Sequence, residues 1–328
     1  MGTFKGVYVT QENEKLSAQL VDLTDESLDA GDVTITVEYS TVNYKDGLAI
    51  TGLGGFIKRF PIIPGIDLAG TVETSSHANF KPGDKVVLNG YELGVTHHGG
   101  FAQRARVRGD WLVKLPANVS TRQAAAIGTA GLAAMLSVLA LERGGVHGGR
   151  VLVTGAAGGV GSVAIALLAK RGYHVMASTG RSAEEAYLRS LGASEIIDRA
   201  TLSSPAQRPI GAERWHGAVD TVGSHTLVNV LAQTTYGGTV SACGLAQGMD
   251  LPGSMAPFIL RGVTLAGIDT VNAPMAIREQ AWSRLATDLD PGLLEGMTSV
   301  ISLGEAAGRA VQVLKGAVRG RTLVDVNA

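Results

Sequence analysis

The stretch VLVTGAAGGVGSVAIALLAKRGYHVMASTGR, residues 151–181, decides the fold class of this chain. An apolar run leads into a glycine-rich turn, an apolar helical segment follows, and a second apolar run closes the stretch. A strand, turn, helix and strand in this order are typical of a unit that binds a dinucleotide. Gly158 lets the backbone approach a pyrophosphate and Gly161 lets the helix pack closely, while Ala156 replaces one glycine of the usual pattern. The free N–H groups at the start of the helix would then face the phosphates.

The end of the second apolar run indicates which dinucleotide is bound. A carboxylate about 20 residues after the turn would bind a free ribose 2′-hydroxyl. This chain has Thr179, Gly180 and Arg181 there instead. The planar guanidinium of Arg181 suits a 2′-phosphate, which a carboxylate would repel, and we therefore predict NADPH as the cofactor. Alternatively, Arg181 is a solvated surface residue, or Arg171 binds the phosphate, although the end of its helix would direct Arg171 away from the ribose.

The pattern on either side of this stretch predicts an α/β protein with a doubly wound parallel (Rossmann) sheet and a second, β-rich domain. In the first third, closely spaced strands are predicted at 32–44, 65–73, 83–90 and 101–108. Further on, strands are predicted at 151–154, 174–178, 195–197, 217–223, 238–244 and 263–269, and helices at 129–142, 162–171, 183–191 and 276–288. The last predicted strand, 320–326, has no helix after it, so we expect it to return to the first domain.

Composition excludes several classes of protein. The chain has 328 residues, enough for two domains, and a net charge of −1, which argues against a nucleic-acid binder. Its single cysteine cannot form an internal disulfide or a cysteine-rich zinc site. The apolar run at 160–169 is too short to span a membrane, and the first residues lack the apolar core of a signal peptide. We expect a cytoplasmic enzyme with no nucleic-acid or membrane partner.

With the nucleotide site placed, the whole chain resembles the medium-chain dehydrogenase/reductase superfamily. The matching motifs, besides the glycine-rich turn, are NYKD (43–46), PGIDLAGTV (64–72), KPGDKV (81–86), GGFA (99–102), IGTAGLAAM (127–135), LGA (191–193), VDTVG (219–223), YGG (236–238) and GRTLV (320–324). The resemblance implies a GroES-like catalytic domain over 1–124, completed by 269–328, and a Rossmann NADPH-binding domain over 125–268. It also implies a homodimer that pairs through the edge strand at 263–268.

The chain departs from the zinc-dependent members of that superfamily. The segment that usually reads G-H-E is here Gly65, Ile66 and Asp67, and the zinc-binding cysteines are missing. The segment at 41–70 looks most like the zinc-independent acryloyl-CoA reductase branch, once grouped with quinone oxidoreductases. The resemblance therefore implies NADPH-dependent reduction of the C=C bond of acryloyl-CoA to propionyl-CoA, without a metal.

Such a reaction needs hydrogen-bond donors for the developing enolate and a source of a proton. We predict Tyr44 beside the nicotinamide and the acyl group, because its phenol donates a hydrogen bond without carrying a charge at neutral pH. Asn43 could position amides and Lys45 could donate to an anion, while Asp46 is expected to orient these groups. The alternative is a purely structural cluster at a strand end. Arg321 is expected near a phosphate of the cofactor or substrate, or else in a surface ion pair.

The resemblance also implies the rest of the cofactor site. Leu245 and Ile259 could instead be ordinary core residues. The implied cofactor contacts are Tyr44, Ala157, Gly158, Gly159, Val160, Thr179, Gly180, Arg181, Leu245, Ile259 and Thr270.

Coenzyme A carries several phosphates, and two groups of cations could bind them. They are Lys58 with Arg59, and a stripe of Arg104, Arg106 and Arg108, which we interpret first as the solvated face of a strand. His97 and His98 have no third metal ligand at a recognisable spacing, and Cys243 is interpreted as a core thiol.

Three functions remain open from the sequence. The leading one is an NADPH-dependent enoyl-CoA reductase. The others are a quinone or alkenal reductase that does not require coenzyme A, and an NADPH-binding protein with a structural or sensing role.

Overall fold

The protein is described by a computed structural model that covers residues 2–13 and 15–328. The strands are β1 (Thr3–Glu12), β2 (Lys15–Thr24), β3 (Val33–Thr41), β4 (Asp67–Ser75), β5 (Lys85–Asn89), β6 (Arg104–Val107), β7 (Val113–Lys114), β8 (Arg150–Val153), β9 (His174–Thr179), β10 (Glu195–Asp198), β11 (Trp215–Asp220), β12 (Thr234–Ala242), β13 (Thr264–Gly267), β14 (Thr298–Ser302) and β15 (Arg321–Asp325). The α-helices are α1 (Tyr44–Thr51), α2 (Thr121–Arg143), α3 (Gly159–Lys170), α4 (Glu185–Ser190), α5 (Ala200–Ser203), α6 (Ser224–Ala232), α7 (Ala256–Arg261), α8 (Met275–Asp288), α9 (Pro291–Gly296) and α10 (Ala306–Leu314).

The chain divides into two compact units. Unit 1 comprises Met1–Thr129, Thr270–Ala286 and Leu294–Ala328, and unit 2 comprises Ala130–Asp269 and Thr287–Leu293.

Unit 2 contains a six-stranded sheet in the order β10-β9-β8-β11-β12-β13, and every neighbouring pair is parallel. Val151, Leu152 and Val153 are completely buried in its centre, as expected for strands that are covered on both faces. The chain proceeds outward from β8 in one direction and then restarts at β11 on the other side. This reversal creates a switch point between β8 and β11, where ligands bind at the carboxyl ends of the strands. The predicted doubly wound parallel sheet is confirmed.

Unit 1 is built around a seven-stranded sheet in the order β14-β15-β3-β4-β5-β7, with β6 also paired to β3. Most pairs are antiparallel, and β14 with β15 is parallel. The inner face of the sheet packs into a hydrophobic core that includes Ile35, Val37, Leu68 and Leu88. As expected, the last strand of the chain returns to this unit, where β15 pairs with β3.

One prediction about unit 1 is wrong in detail, and one pair of strands was not predicted. The strand predicted at 32–44 ends at Thr41, because Asp46 accepts a hydrogen bond from the backbone N–H of Asn43 and so caps a helix that begins at Tyr44. The hairpin of β1 and β2 was not predicted, because most side chains of β2 are exposed or half-buried and leave no clear apolar alternation.

The helix predicted at 129–142 is α2, which starts earlier, at Thr121, and has a non-helical residue at Gly128 with φ 50° and ψ −162°. Among the described residues, α2 alone is long and apolar enough to cross a membrane. Its most apolar window has a mean hydropathy of 2.0, and 94% of that window is buried inside the fold. Such burial is typical of a core helix.

Candidate active site

The glycine-rich turn of unit 2 lies between β8 and α3, at the carboxyl edge of the sheet. Gly155 has a φ of 58°, a backbone conformation that residues other than glycine rarely adopt. A Cβ on Gly161 would lie 2.5 Å from the carbonyl oxygen of Gly155 and 2.7 Å from Cα of Ala156. The absence of a side chain at Gly161 therefore allows α3 to pack directly on the turn.

The start of α3 fits the pyrophosphate of a dinucleotide. Gly158 is the N-cap residue, and no side chain in the described chain caps the helix through a hydrogen bond. Backbone N–H groups and the positive end of the helix dipole are thus left to a ligand. The predicted pyrophosphate contacts in this segment, at the switch point of the sheet, are Ala157, Gly158, Gly159 and Val160.

Arg181 follows β9 and lies against the same turn. Its Nη2 is 3.3 Å from the carbonyl oxygen of Ala157, its Nη1 is 3.9 Å from Oε1 of Glu184, and its backbone N–H donates to Oγ1 of Thr179. The side chain is 35% exposed and is therefore accessible to a ligand. The contact of Arg181 with a 2′-phosphate stays a prediction, which this position beside the turn favours.

Arg171, the rival cation, lies at the other end of α3. It is the C-cap residue of that helix and forms ion pairs with Glu142 at 2.6 Å and Asp288 at 3.3 Å. Because the glycine-rich turn precedes the first residue of α3, Arg171 is a full helix length away from it. This position favours the prediction that its helix directs Arg171 away from the ribose.

A second arginine near Gly180 was missed from the sequence. Arg199 follows β10, and its backbone N–H donates to the carbonyl oxygen of Thr179 at 3.0 Å. A Cβ on Gly180 would lie only 2.2 Å from Nε of Arg199, so the arginine side chain lies directly over this glycine. The sequence does contain a signal for it, because Arg199 comes just after a predicted strand whose carboxyl end adjoins that of β9.

Leu245 and Ile259 are not core residues. Leu245 is 47% exposed in the loop after β12, and Ile259 is 73% exposed on α7. The alternative interpretation that they belong to the core is therefore wrong. Their contact with the cofactor stays a prediction.

In unit 1, the predicted catalytic residues cluster at the start of α1. Asp46 is completely buried, and its carboxyl oxygens accept backbone N–H groups from Asn43 at 2.7 Å and Ile66 at 3.0 Å. Burial, together with the negative charge of Asp67, raises the pKa of Asp46 to about 7. Tyr44, the first residue of α1, is 38% exposed. Asp46 thus lies beneath the start of α1, while the phenol of Tyr44 remains accessible. The orienting role of Asp46 stays a prediction, which its hydrogen bond from Asn43 favours.

Asp67 is the centre of a buried hydrogen-bond network that sequence reasoning did not identify. It is 1% exposed. Its carboxylate accepts hydrogen bonds from Asn43 Nδ2 at 2.8 Å, Asn89 Nδ2 at 2.7 Å, Thr129 N at 2.9 Å and Thr129 Oγ1 at 2.5 Å. The signal in the sequence was its place in the segment that usually reads G-H-E.

Arg321 belongs to the same buried region. It is 3% exposed, its Nε donates to the carbonyl oxygen of Ala126 at 2.8 Å, and its Nη2 donates to Oγ1 of Thr41 at 2.9 Å. The same nitrogen lies 3.5 Å from Oδ1 of Asn43. The alternative of a surface ion pair is therefore wrong. The catalytic role of Arg321 stays a prediction, and its contact with Asn43 favours a role in positioning that side chain.

Thr270 lies in a segment that is held by a buried arginine. Its side chain is 9% exposed, and its carbonyl oxygen accepts a hydrogen bond from Nη2 of Arg278 at 2.8 Å. Arg278 also donates to the carbonyl oxygens of Asn89 and Val271, and its guanidinium lies 4.2 Å from the ring centroid of Tyr91. The backbone at Thr270 is thus fixed, while the cofactor contact of its side chain stays a prediction.

Four of the five cations considered for coenzyme A have partners within unit 1. Arg59 pairs with Asp29 at 2.5 Å, Arg104 pairs with Asp25 at 2.8 Å and also with Glu73, Arg108 lies 3.9 Å from Asp110, and Lys58 donates to the carbonyl oxygen of Gly55 at 2.9 Å. On β6, the residues between the arginines, Ala105 and Val107, are buried, so the arginines lie on the opposite face of the strand. A phosphate would have to displace these carboxylates, which supports the interpretation of the stripe as a solvated strand face.

His97, His98 and Cys243 lie within the fold and form no metal site with one another. His97 Nε2 lies 2.7 Å from the carbonyl oxygen of Arg106, and Nδ1 of His98 accepts the N–H of Ile63 at 2.9 Å. Burial lowers the pKa of His98 to about 4 and raises the pKa of the Cys243 thiol to about 12, so both are neutral near pH 7. Over residues 2–13 and 15–328, no group of three His, Cys, Asp or Glu side chains could hold a metal ion.

Comparisons with known proteins agree with this geometry. The family of alcohol dehydrogenase GroES-like domains matches residues 29–117, and the zinc-binding dehydrogenase family matches residues 159–287. The acrylyl-CoA reductase AcuI of Ruegeria pomeroyi is 52% identical and the match covers 97% of each chain. The putative quinone oxidoreductase YhfP of Bacillus subtilis is 43% identical over 98% of each chain. A solved structure, the Salmonella enterica yhdH oxidoreductase in complex with NADP, has a TM-score of 0.96 and 49% identity, with 98% of this chain and 99% of that chain covered.

The two relatives and the solved structure match this chain over nearly the full length of both chains. Sequence identities of 43% to 52% over that length show a common family. The chain therefore belongs to the medium-chain dehydrogenase/reductase superfamily, in the branch of acryloyl-CoA reductases and quinone oxidoreductases.

Proposed function

We propose that this protein reduces the C=C bond of acryloyl-CoA to give propionyl-CoA, with NADPH as the cofactor. The observation that carries the proposal is the 52% identity, over 97% of both chains, to an acrylyl-CoA reductase. The nucleotide-binding features of unit 2 agree with it, because an arginine occupies the end of β9 where an NAD-binding protein would carry a carboxylate.

The residues present fit the cofactor. The uncapped start of α3, at Ala157–Val160, suits the pyrophosphate, and Thr179–Arg181 with Arg199 suits the 2′-phosphate. When bound, NADPH supplies the hydride. We assign this binding to the Rossmann domain predicted at 125–268.

The substrate determines what the chain itself must supply. Reduction at the β-carbon of an enoyl thioester leaves negative charge on the thioester oxygen and requires a proton at the α-carbon. Tyr44 is the accessible donor of the α1 cluster, and its neutral phenol can stabilise that oxygen. Asp46, Asp67 and Arg321 act through Asn43 and the start of α1, which they hold in place by the hydrogen bonds described above.

A substrate panel tests the proposed function. The oxidation of NADPH is followed by the loss of its nicotinamide absorbance, which reports the reaction with each substrate in the same way. The substrates are acryloyl-CoA, free acrylate, acrolein and a quinone. We expect the highest kcat/KM with acryloyl-CoA. Comparable or higher activity with free acrylate would contradict the requirement for a coenzyme A ester.

A quinone reductase is the second candidate, and the 43% identity to a putative quinone oxidoreductase favours it. The same panel separates the two functions. A higher kcat/KM with the quinone than with acryloyl-CoA would replace the leading proposal by this one, and tight NADPH binding with no turnover on any substrate would leave a binding or sensing protein.

We also propose that the protein is a cytoplasmic homodimer. In the described part of unit 2, β13 pairs with β12 only and is the edge of the six-stranded sheet, so its other side can pair with a second copy. Light scattering on the purified protein should give twice the mass of one chain. The mass of a single chain would contradict the dimer.

A further inference from the structure

A buried carboxyl group lies next to the glycine-rich turn, and neither the proposed chemistry nor the proposed cofactor contacts use it. Asp220 is the last residue of β11 and is completely buried. One carboxyl oxygen accepts the hydroxyl of Thr154 at 2.6 Å, and the other accepts the N–H groups of Gly223 at 2.8 Å and Val222 at 3.3 Å. Asp220 therefore ties the ends of two neighbouring strands, β8 and β11, at the switch point of the sheet.

Thr154 and Thr221 extend this connection by a reciprocal pair of hydrogen bonds. The N–H of Thr221 donates to Oγ1 of Thr154 at 3.0 Å, and Oγ1 of Thr221 donates to the carbonyl oxygen of Thr154 at 3.0 Å. Thr154 is 1% exposed and is the residue immediately before Gly155. The hydroxyl of Thr154 thus donates to Asp220 and accepts from the backbone N–H of Thr221. Thr154 itself is the last residue before the turn.

Close packing transmits the position of Thr221 to the turn. A Cβ on Gly155 would lie 2.1 Å from Oγ1 of Thr221, and a Cβ on Gly244 would lie 2.2 Å from its carbonyl oxygen. Thr221 is therefore wedged between two glycines that follow β8 and β12. A displacement of Thr221 would move Gly155, and with it the backbone that leads into α3.

The polar character of this set has an energetic cost. A buried carboxyl group loses its hydration, and burial raises the pKa of Asp220. Apolar side chains could fill the same space without that cost, but they would not fix one geometry as directional hydrogen bonds do. The arrangement thus points to precise placement of the turn more than to stability.

We propose that Asp220 is a positioning residue for the pyrophosphate of NADPH, acting through Thr154 and Thr221 on the backbone from Gly155 to Val160. The inference rests on the proposed cofactor site. It adds that the affinity for the pyrophosphate part of the cofactor depends on this network much more than the affinity for the 2′-phosphate does, because Arg181 and Arg199 follow β9 and β10 and only Arg181 contacts the turn, through the carbonyl oxygen of Ala157 at 3.3 Å.

The test uses Thr154→Val, which keeps the shape of the side chain and removes the hydroxyl. Its matched control is Thr234→Val, because Thr234 is also completely buried and its hydroxyl donates one hydrogen bond, to Val230 at 2.8 Å, at the opposite end of the same sheet. Thr154→Ser restores the hydroxyl. The dissociation constants of NADPH and of adenosine 2′-monophosphate, which lacks a pyrophosphate, are measured for each variant.

For Thr154→Val we expect an NADPH Kd about tenfold higher, with kcat at saturating NADPH unchanged. The Kd of adenosine 2′-monophosphate should stay the same, and Thr154→Ser and Thr234→Val should behave like the unmodified protein. An NADPH Kd equal to that of Thr234→Val, or an equal loss of affinity for both ligands, would overturn the inference. If Thr154→Val does not fold, Thr221→Val at a half-buried position carries the same expectations. Failure of the unmodified protein to bind NADPH would instead overturn the proposed function.

Discussion

Arg181 holds its present partners weakly, which suits a side chain that exchanges them for a ligand. Its contacts with Ala157 at 3.3 Å and with Glu184 at 3.9 Å are long, and its side chain is partly exposed. We predict that Arg181→Ala raises the KM for NADPH by roughly 10- to 100-fold, the value of one or two charge-assisted hydrogen bonds. The KM for NADH should change little, since NADH has no 2′-phosphate.

A matched control for this prediction is Arg189→Ala, which removes an exposed arginine of α4 that pairs with Glu185. Steady-state kinetics with both cofactors should show no effect of that control. Equal changes in the two KM values for Arg181→Ala would remove Arg181 from the phosphate site. Arg199 would then be the remaining cation beside Gly180.

A second prediction concerns the phenolic hydroxyl of Tyr44. The Tyr44→Phe variant keeps the ring and removes the phenolic hydroxyl. Because that hydroxyl is expected to stabilise charge that develops only during the reaction, kcat should fall by about 100-fold with little change in NADPH affinity. Tyr236→Phe, at an exposed tyrosine of unit 2, is the control. An unchanged kcat for Tyr44→Phe would exclude the phenol from catalysis.

At the scale of single elements, the start of α1 has a pH dependence of its own. The pKa of Asp46 rises from 3.8 to about 7 on folding, so between these values the folded protein holds a proton that the unfolded chain has released. The free energy of unfolding therefore falls as the pH rises through this range. Asp46→Asn cannot titrate. Between pH 5 and pH 8 the unmodified protein should lose on the order of 2 kcal/mol more stability than the variant.

Denaturation by urea at the two pH values measures this difference. Titrating groups that do not interact with Asp46, such as His98, contribute equally to both proteins and cancel. If the two proteins lose the same stability, the carboxyl of Asp46 is already ionised at pH 5.

Some strands could be predicted from the sequence and others could not. The strands of unit 2 were predictable because β8 and β9 are short buried runs on either side of the apolar helix α3, with a glycine, Gly155 or Gly172, at each connection. The end of β3 was not, because Thr41 and Val42 favour a strand and only the capping of α1 by Asp46 ends it. The exposed pattern of β2 likewise hides a strand that is stabilised by pairing with β1.

In the whole molecule, the functional groups are assembled by contacts between distant parts of the chain, which no local pattern reveals. Asp67 binds Thr129, 62 residues away, and Arg321 reaches Asn43 across 278 residues because β15 pairs with β3. The types of residue at the site could be named from the motifs. Their network, centred on Asp67, and the position of Arg199 over Gly180 needed the structure.

The most direct measurement of the proposed reaction follows the hydrogen that is transferred. The protein is incubated with acryloyl-CoA and NADPH that is deuterated at the transferable position of C4, and the product is analysed by mass spectrometry and NMR. We predict propionyl-CoA with one deuterium, located on the β-carbon, and a solvent proton on the α-carbon. Deuterium on the α-carbon, or no propionyl-CoA at all, would contradict the proposed reaction.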